Sequence, residues 1–77
     1  MSERLPRLTA SEIIRVLEHR GFGLARSSGS HLIYRNPEGR RVTVPAHASK
    51  TLHPKVLRNI LRDMDLTPEE LKAELGR

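Results

Sequence analysis

The sequence predicts an α+β fold: a three-stranded antiparallel sheet with helices on one face, in the order α-β-β-β-α plus a short last helix. Three observations lead there. Thr9 and Glu12 have the spacing of a capping box and open a run of apolar residues at helical intervals. Pro37-Glu38-Gly39 joins two segments whose apolar residues alternate. His53-Pro54 then precedes a second helical stripe.

Residues 1–8 read as an irregular lead-in, because Pro6 opposes regular structure. The first helix is expected over residues 10–20, with Ala10, Ile13, Ile14 and Leu17 on one side and Val16 widening the stripe. Gly21 is expected to end it in a left-handed conformation. Residues 22–26 can be a first strand and Ser27-Ser-Gly-Ser30 a turn. Residues 31–36 and 40–45 are the second and third strands. Pro45 ends the third, and residues 46–52 form a loop with His47 and Lys50. Val56, Leu57, Ile60, Leu61 and Met64 are the stripe of the second long helix, flanked by Arg58 and Arg62. Thr67 and Glu70 repeat the capping box, with Pro68 at the first helical position, and open a short helix with Leu71 and Leu75 inward.

The loop between the second and third strands sets their register. Pro at the second position and Gly at the fourth of Asn36-Pro37-Glu38-Gly39 fit a type I turn followed by a left-handed glycine. Asn36 then lies opposite Arg40, Tyr34 opposite Val42 and Leu32 opposite Val44. These last four residues make one apolar face, and His31, Ile33, Arg35, Arg41 and Thr43 point the other way. A four-residue loop would place Tyr34 beside Arg41 and His31 beside Val44, which segregates apolar from polar far less well.

Length and composition narrow the class. The chain has 77 residues, read as one domain over 1–77 near the lower limit for a self-sufficient core. No apolar run approaches the roughly 20 residues a membrane span needs. The first residues show no apolar signal region, so a cytoplasmic protein is expected. There is no cysteine, and no histidine pair has the spacing of a metal motif, so neither a metal nor a cofactor is expected. The net charge of +5 is unevenly spread. Between positions 20 and 62 nine bases face one acid, Glu38, and the remainder of the chain is acidic on balance. A basic middle suits a polyanion, and its arginines suit bidentate phosphate contact. With one Tyr and one Phe, base stacking on an aromatic platform is not the expected binding mode.

His31 stands out among the polar residues. It can be a surface histidine bonded to its turn, or a proton acceptor on a face shared with Arg35 and Arg41. An imidazole with a pKa near about 6.5 accepts a proton at neutral pH. Metal-independent ribonucleases need such a base to take the proton of the ribose 2′-hydroxyl, which then attacks the adjacent phosphate. Cations nearby stabilise the extra phosphorane charge, and DNA, lacking that hydroxyl, would be inert. His47 and Lys50 can serve as leaving-group acid or phosphate clamp, or be solvated loop residues. Ser28 and Ser30 have no Ser-His-Asp context for nucleophilic catalysis. His19 and His53 read as helix-end residues.

The run Gly29-Ser30-His31-Leu32-Ile33-Tyr34-Arg35, followed by Gly39-Arg40-Arg41-Val42-Thr43-Val44-Pro45-Ala46-His47 and by Leu57-Arg58-Asn59-Ile60-Leu61, resembles the HicA family of toxins across nearly the whole chain. The resemblance implies a double-stranded-RNA-binding-domain-like fold and an mRNA interferase of a type II toxin–antitoxin module. It implies His31, in the Gly-Ser-His motif, as the catalytic residue, and His47 matches the family's second histidine. From their positions, Ser30, Arg35, Arg41, His47 and Lys50 are expected as RNA-binding or supporting residues. It implies a HicB-type antitoxin as partner, with DNA contacted only through that antitoxin. Two positions depart from the family pattern: His53-Pro54-Lys55 stands near a usual glycine at the start of the second long helix, and Asp65 stands where a glycine commonly follows it. Two other readings use the same basic face: a non-catalytic double-stranded-RNA-binding module, and an inactive domain kept for protein interaction.

Overall fold

Both capping boxes read from the sequence form in the computed structural model, which describes residues 5–47 and 49–76. In α1 (Ala10–His19) the Glu12 N–H donates to the Thr9 hydroxyl at 3.3 Å, and the Thr9 N–H donates to the Glu12 carboxylate at 2.9 Å. A cap of this kind contributes about 1 kcal/mol. In α2 (Pro54–Asp63) His53 caps instead, its Nδ1 accepting from the Lys55 N–H at 3.1 Å, with Pro54 in the first turn where its missing N–H costs nothing. In α3 (Pro68–Leu75) Thr67 and Glu70 repeat the box, with bonds of 3.1 and 2.9 Å. The hydrogen bonds Glu70 accepts, first from the Thr67 backbone and then from its hydroxyl, hold its carboxyl below the ordinary carboxylate value.

The two long helices end alike. Beyond α1, the Phe22 N–H reaches the Leu17 carbonyl at 2.9 Å and the Gly21 N–H reaches Glu18 at 3.1 Å, with Gly21 left-handed at φ 88°. Beyond α2, Leu66 bonds Leu61 at 2.9 Å and Asp65 bonds Arg62 at 3.2 Å, with Asp65 left-handed at φ 59°. Both are Schellman closures, and each buries an apolar pair, Phe22 with Leu17 and Leu66 with Leu61. Phe22 therefore belongs to the cap of α1 and does not start a strand.

The strands are β1 (Gly23–Ser28), β2 (His31–Arg35) and β3 (Arg41–Pro45), all antiparallel, with β2 central. β1 runs two residues beyond its expected end, and the turn shrinks from residues 27–30 to Gly29-Ser30. Gly29 alone of this pair has positive φ, 56°, the pattern of a type II′ hairpin turn. The β2–β3 register is the expected one: Leu32 faces Val44, Tyr34 faces Val42 and Arg35 faces Arg41. Asn36 and Arg40 continue the pairing (3.2 Å), and Gly39, at φ 88°, closes the three-residue loop onto the Asn36 carbonyl (3.0 Å).

Helices cover one face of the sheet. Tyr34, Val42 and Val44 point into a core that also holds Ile13 and Leu17 of α1, Leu57, Ile60 and Leu61 of α2, and Leu71 of α3. Leu32 is half-buried against this core. Burial, and secondly the charge of Glu18, raise the Tyr34 phenol above its ordinary pKa. Two core residues come from segments with no periodic signal. The Leu52 N–H donates to the Leu8 carbonyl at 2.7 Å and the Ala10 N–H donates to the Lys50 carbonyl at 3.3 Å, so the lead-in and the long loop pair across Thr9 and Thr51. Residues 1–4 of the expected lead-in and Ala48 of the loop lie outside the described residues.

Candidate active site

Strand alternation decides what shares a face with His31. Across the uncovered side of the sheet, Ser28, His31 and Pro45 form one row, Arg26, Ile33 and Thr43 the next, and Gly23, Arg35 and Arg41 the third. Successive same-face residues along a strand are about 7 Å apart, so His31 and Arg35 lie about 13 Å apart at opposite ends of β2. They share a face without touching. Nothing in the sequence singles out Arg26. A bulge between Leu24 and Arg26 shifts the β1 register by one and decides where Arg26 lands. One-residue irregularities of this kind leave no mark in the local pattern.

The charges on this face are unbalanced. Arg35 and Arg41 are directly opposed, both exposed, and neither forms an ion pair among the described residues. Like charges across a strand pair are destabilising. Arg26 is exposed and, among the described residues, unpaired as well. The arginines that do pair lie elsewhere. Arg20 bonds Glu74 at 3.0 Å, alongside His19 at 3.1 Å, which ties α3 to the end of α1. Arg40 bonds the Asp63 carbonyl at 2.9 Å and approaches Asp65 at 3.7 Å, which secures the end of α2.

His31 is exposed and lines a cleft of about 280 Å³ whose walls come from β2, β3 and the flank of α2. Thr43 and Pro45 line it from β3, and Val56, Asn59, Ile60 and Asp63 line it from α2. This neighbourhood has no signature in the sequence, because the angle at which a helix crosses a sheet is not written in either periodicity. Larger hollows lie around Leu5 and Arg58, without a histidine.

The remaining expected residues have definite places. The Ser30 carbonyl accepts from the Ala46 N–H at 2.7 Å, which prolongs the β2–β3 pairing past His31. His47 is exposed, and its carbonyl accepts from the Lys50 N–H at 3.0 Å. Neither His47 nor Lys50 is among the residues lining the His31 cleft, although His47 follows two residues after the partner of His31. His53 caps α2 and His19 pairs with Glu74, so these two are occupied in the fold. Among the described residues no group of three His, Asp or Glu side chains comes together to hold a metal ion.

The family model described as HicA toxin of bacterial toxin–antitoxin matches residues 10–66. The chain belongs to the HicA toxin family. It is a toxin of a toxin–antitoxin system, and an antitoxin is its partner. The match runs from the first residue of α1 to the Schellman closure of α2, so it includes the whole sheet and both walls of the His31 cleft. No curated protein matches the chain. Among the described residues no helix of this HicA toxin is long and apolar enough to cross a membrane.

Proposed function

We propose that this toxin is an endoribonuclease that cleaves messenger RNA in the cytoplasm without a metal, with His31 as general base. The observation that carries the reading is an exposed imidazole, free of any intramolecular partner among the described residues, on a sheet face whose three arginines are also unpaired. Among the described residues none pairs with these side chains, and the Arg35–Arg41 apposition opposes folding. Together they suit a polyanion that brings its own reactive hydroxyl.

In the step proposed, His31 takes the proton of a ribose 2′-hydroxyl. The 2′-oxygen forms a bond to the adjacent phosphorus, and the bond from phosphorus to the 5′-oxygen breaks. The 5′-oxygen leaves with a proton from water or from a second acid, for which His47 is the candidate. The products are a 2′,3′-cyclic phosphate and a 5′-hydroxyl. Arg26, Arg35 and Arg41 hold the flanking phosphates, and Ser30 and Lys50 border the path. A HicB-type antitoxin is the proposed partner and the module's contact with DNA.

The test is cleavage of labelled RNA in EDTA by wild type and His31→Ala. Wild type should release ends carrying 2′,3′-cyclic phosphate, and His31→Ala should cleave about 10²-fold more slowly or worse, with growth arrest lost in parallel. Equal cleavage by both proteins removes His31 from the chemistry. Salt-dependent binding of duplex RNA with no cleavage at all replaces the reading with that of a binding module.

A further inference from the structure

Asn59 and Asp63 are one helical turn apart on α2, so their side chains share a face. That face borders the cleft which His31 and Thr43 line from the sheet. Among the described residues, none of these four side chains has a hydrogen bond or ion pair within the chain; only the backbone carbonyl of Asp63 is engaged, by Arg40. Between them Ile60, 2% exposed, and half-buried Val56 provide an apolar wall. Unpartnered polar groups around an apolar wall are the make-up of a ligand site. The volume of about 280 Å³ sits at the small end of such sites, enough for one ring system and not for a run of nucleotides.

The charge at this spot points to the kind of ligand. Among the described residues Asp63 is the one carboxylate lining the cleft, beside a face otherwise supplied with arginines. A carboxylate repels phosphate, and when ionised it only accepts hydrogen bonds. RNA offers few donors: the ribose hydroxyls and the amino and imino groups of its bases. Adenine, cytosine and guanine carry an exocyclic amino group, whereas the one base donor of uracil, its imino N–H, lies between two carbonyl oxygens that a carboxylate repels. The Asn59 amide both donates and accepts, and can take the ring acceptor beside such an amino group.

We propose that this cleft is a nucleobase subsite that favours an amino-bearing base over uracil beside the scissile phosphate, with Asp63 and Asn59 reading the base edge. The inference rests on the endoribonuclease reading only for where the scissile bond lies, and binding tests it separately from cleavage. Oligonucleotide hexamers of A, C or U with 2′-O-methyl ribose cannot be cleaved by the proposed route, so fluorescence anisotropy reads their binding alone. The A and C hexamers should bind wild type about tenfold more tightly than the U hexamer. Asp63→Asn and Asn59→Ala should each shrink that gap to under about threefold. Arg58→Ala, which removes an exposed charge of α2 outside the cleft, should weaken all three hexamers alike and leave the gap. Equal binding of A, C and U by wild type overturns the proposal, and so does a gap that survives both cleft substitutions. Either result leaves the His31 cleavage test standing. Conversely, a base gap closed by Asp63→Asn stands even if His31→Ala still cleaves.

Discussion

Tyr34 faces Val42 across the β2–β3 hairpin, and Arg35 faces Arg41 one residue further along. The first pair is buried in the core; the second is exposed and carries two like charges with no acid among the described residues paired to either. One ladder of hydrogen bonds holds both pairs, so the difference lies entirely in what the two faces of the sheet are for. The covered face supplies the apolar burial that a chain of this size needs. The outward face contributes little to folding, and at Arg35–Arg41 it works against it. Residues that oppose the fold where a neutral pair would serve point to a role outside the fold.

The sharpest way to separate the faces is to damage the covered one. Val44 is fully buried opposite Leu32. Val44→Asp places an unpaired carboxylate in the core, at a cost of about 4 kcal/mol or more, against a total stability of roughly 4–12 kcal/mol for a domain this long. Circular dichroism should show an unfolded or molten chain at 25 °C. On the outward face, His31→Ala should change stability by less than about 0.5 kcal/mol while removing cleavage. A folded Val44→Asp, or an unfolded His31→Ala, would collapse the distinction.

Arg35→Ala combined with Arg41→Ala tests the outward pair from both sides. RNA affinity should fall roughly tenfold at low salt. The slope of log affinity against log salt should lessen by about 1.4, because two single-strand phosphates are no longer neutralised. Thermal stability should rise slightly, because the repulsion across β2 and β3 is gone. A protein that loses stability along with affinity would mean the arginines serve the fold.

Tyr34 gives the covered face a pH signature. Its folded pKa is raised, by burial first and by Glu18 second. The folded state therefore holds the phenolic proton more tightly than the unfolded state. Stability is full below the unfolded tyrosine value near 10 and declines as pH rises from there through the raised folded value. Tyr34→Phe should flatten denaturation midpoints between about pH 9 and 11 relative to wild type. A decline that persists unchanged in Tyr34→Phe would assign the alkaline loss to other groups.

The parts of this molecule legible in its sequence are those set by short-range rules. Thr9 with Glu12 and Thr67 with Glu70 mark two helix starts, and Pro37-Glu38-Gly39 sets the register that turns Tyr34 inward and His31 outward. What escapes such rules needs information from far along the chain. Leu8 and Leu52 are core residues because their segments pair with each other, and neither segment has a period. The bulge before Arg26 and the α2 flank beside His31 come from how β1 and α2 settle on the sheet. The site is therefore half visible in the sequence: its histidine, two of its arginines and Thr43 can be found on one face, while Asn59 and Asp63 carry no signal until helix and strand are seen together.

The smallest expected effect lies at the two Schellman closures, which differ in one residue. Gly21 holds the left-handed position after α1, and Asp65 holds it after α2 at φ 59°. A residue with a Cβ is destabilised there by about 1 kcal/mol, less for Asp and Asn than for most. Asp65 recovers part of this through Arg40, but that pair is 3.7 Å long and the Asp65 side chain is 81% exposed, so its contribution is at the low end of about 0–1 kcal/mol. Asp65→Gly should therefore stabilise by about 0.5 kcal/mol, seen as a rise in urea midpoint at unchanged slope. Asp65→Asn keeps tolerance of the left-handed conformation and loses the charge, so it should fall at or slightly below wild type. If Asp65→Gly is less stable than wild type, the Arg40 contact outweighs the backbone strain, and the end of α2 is held by charge where the end of α1 is held by glycine.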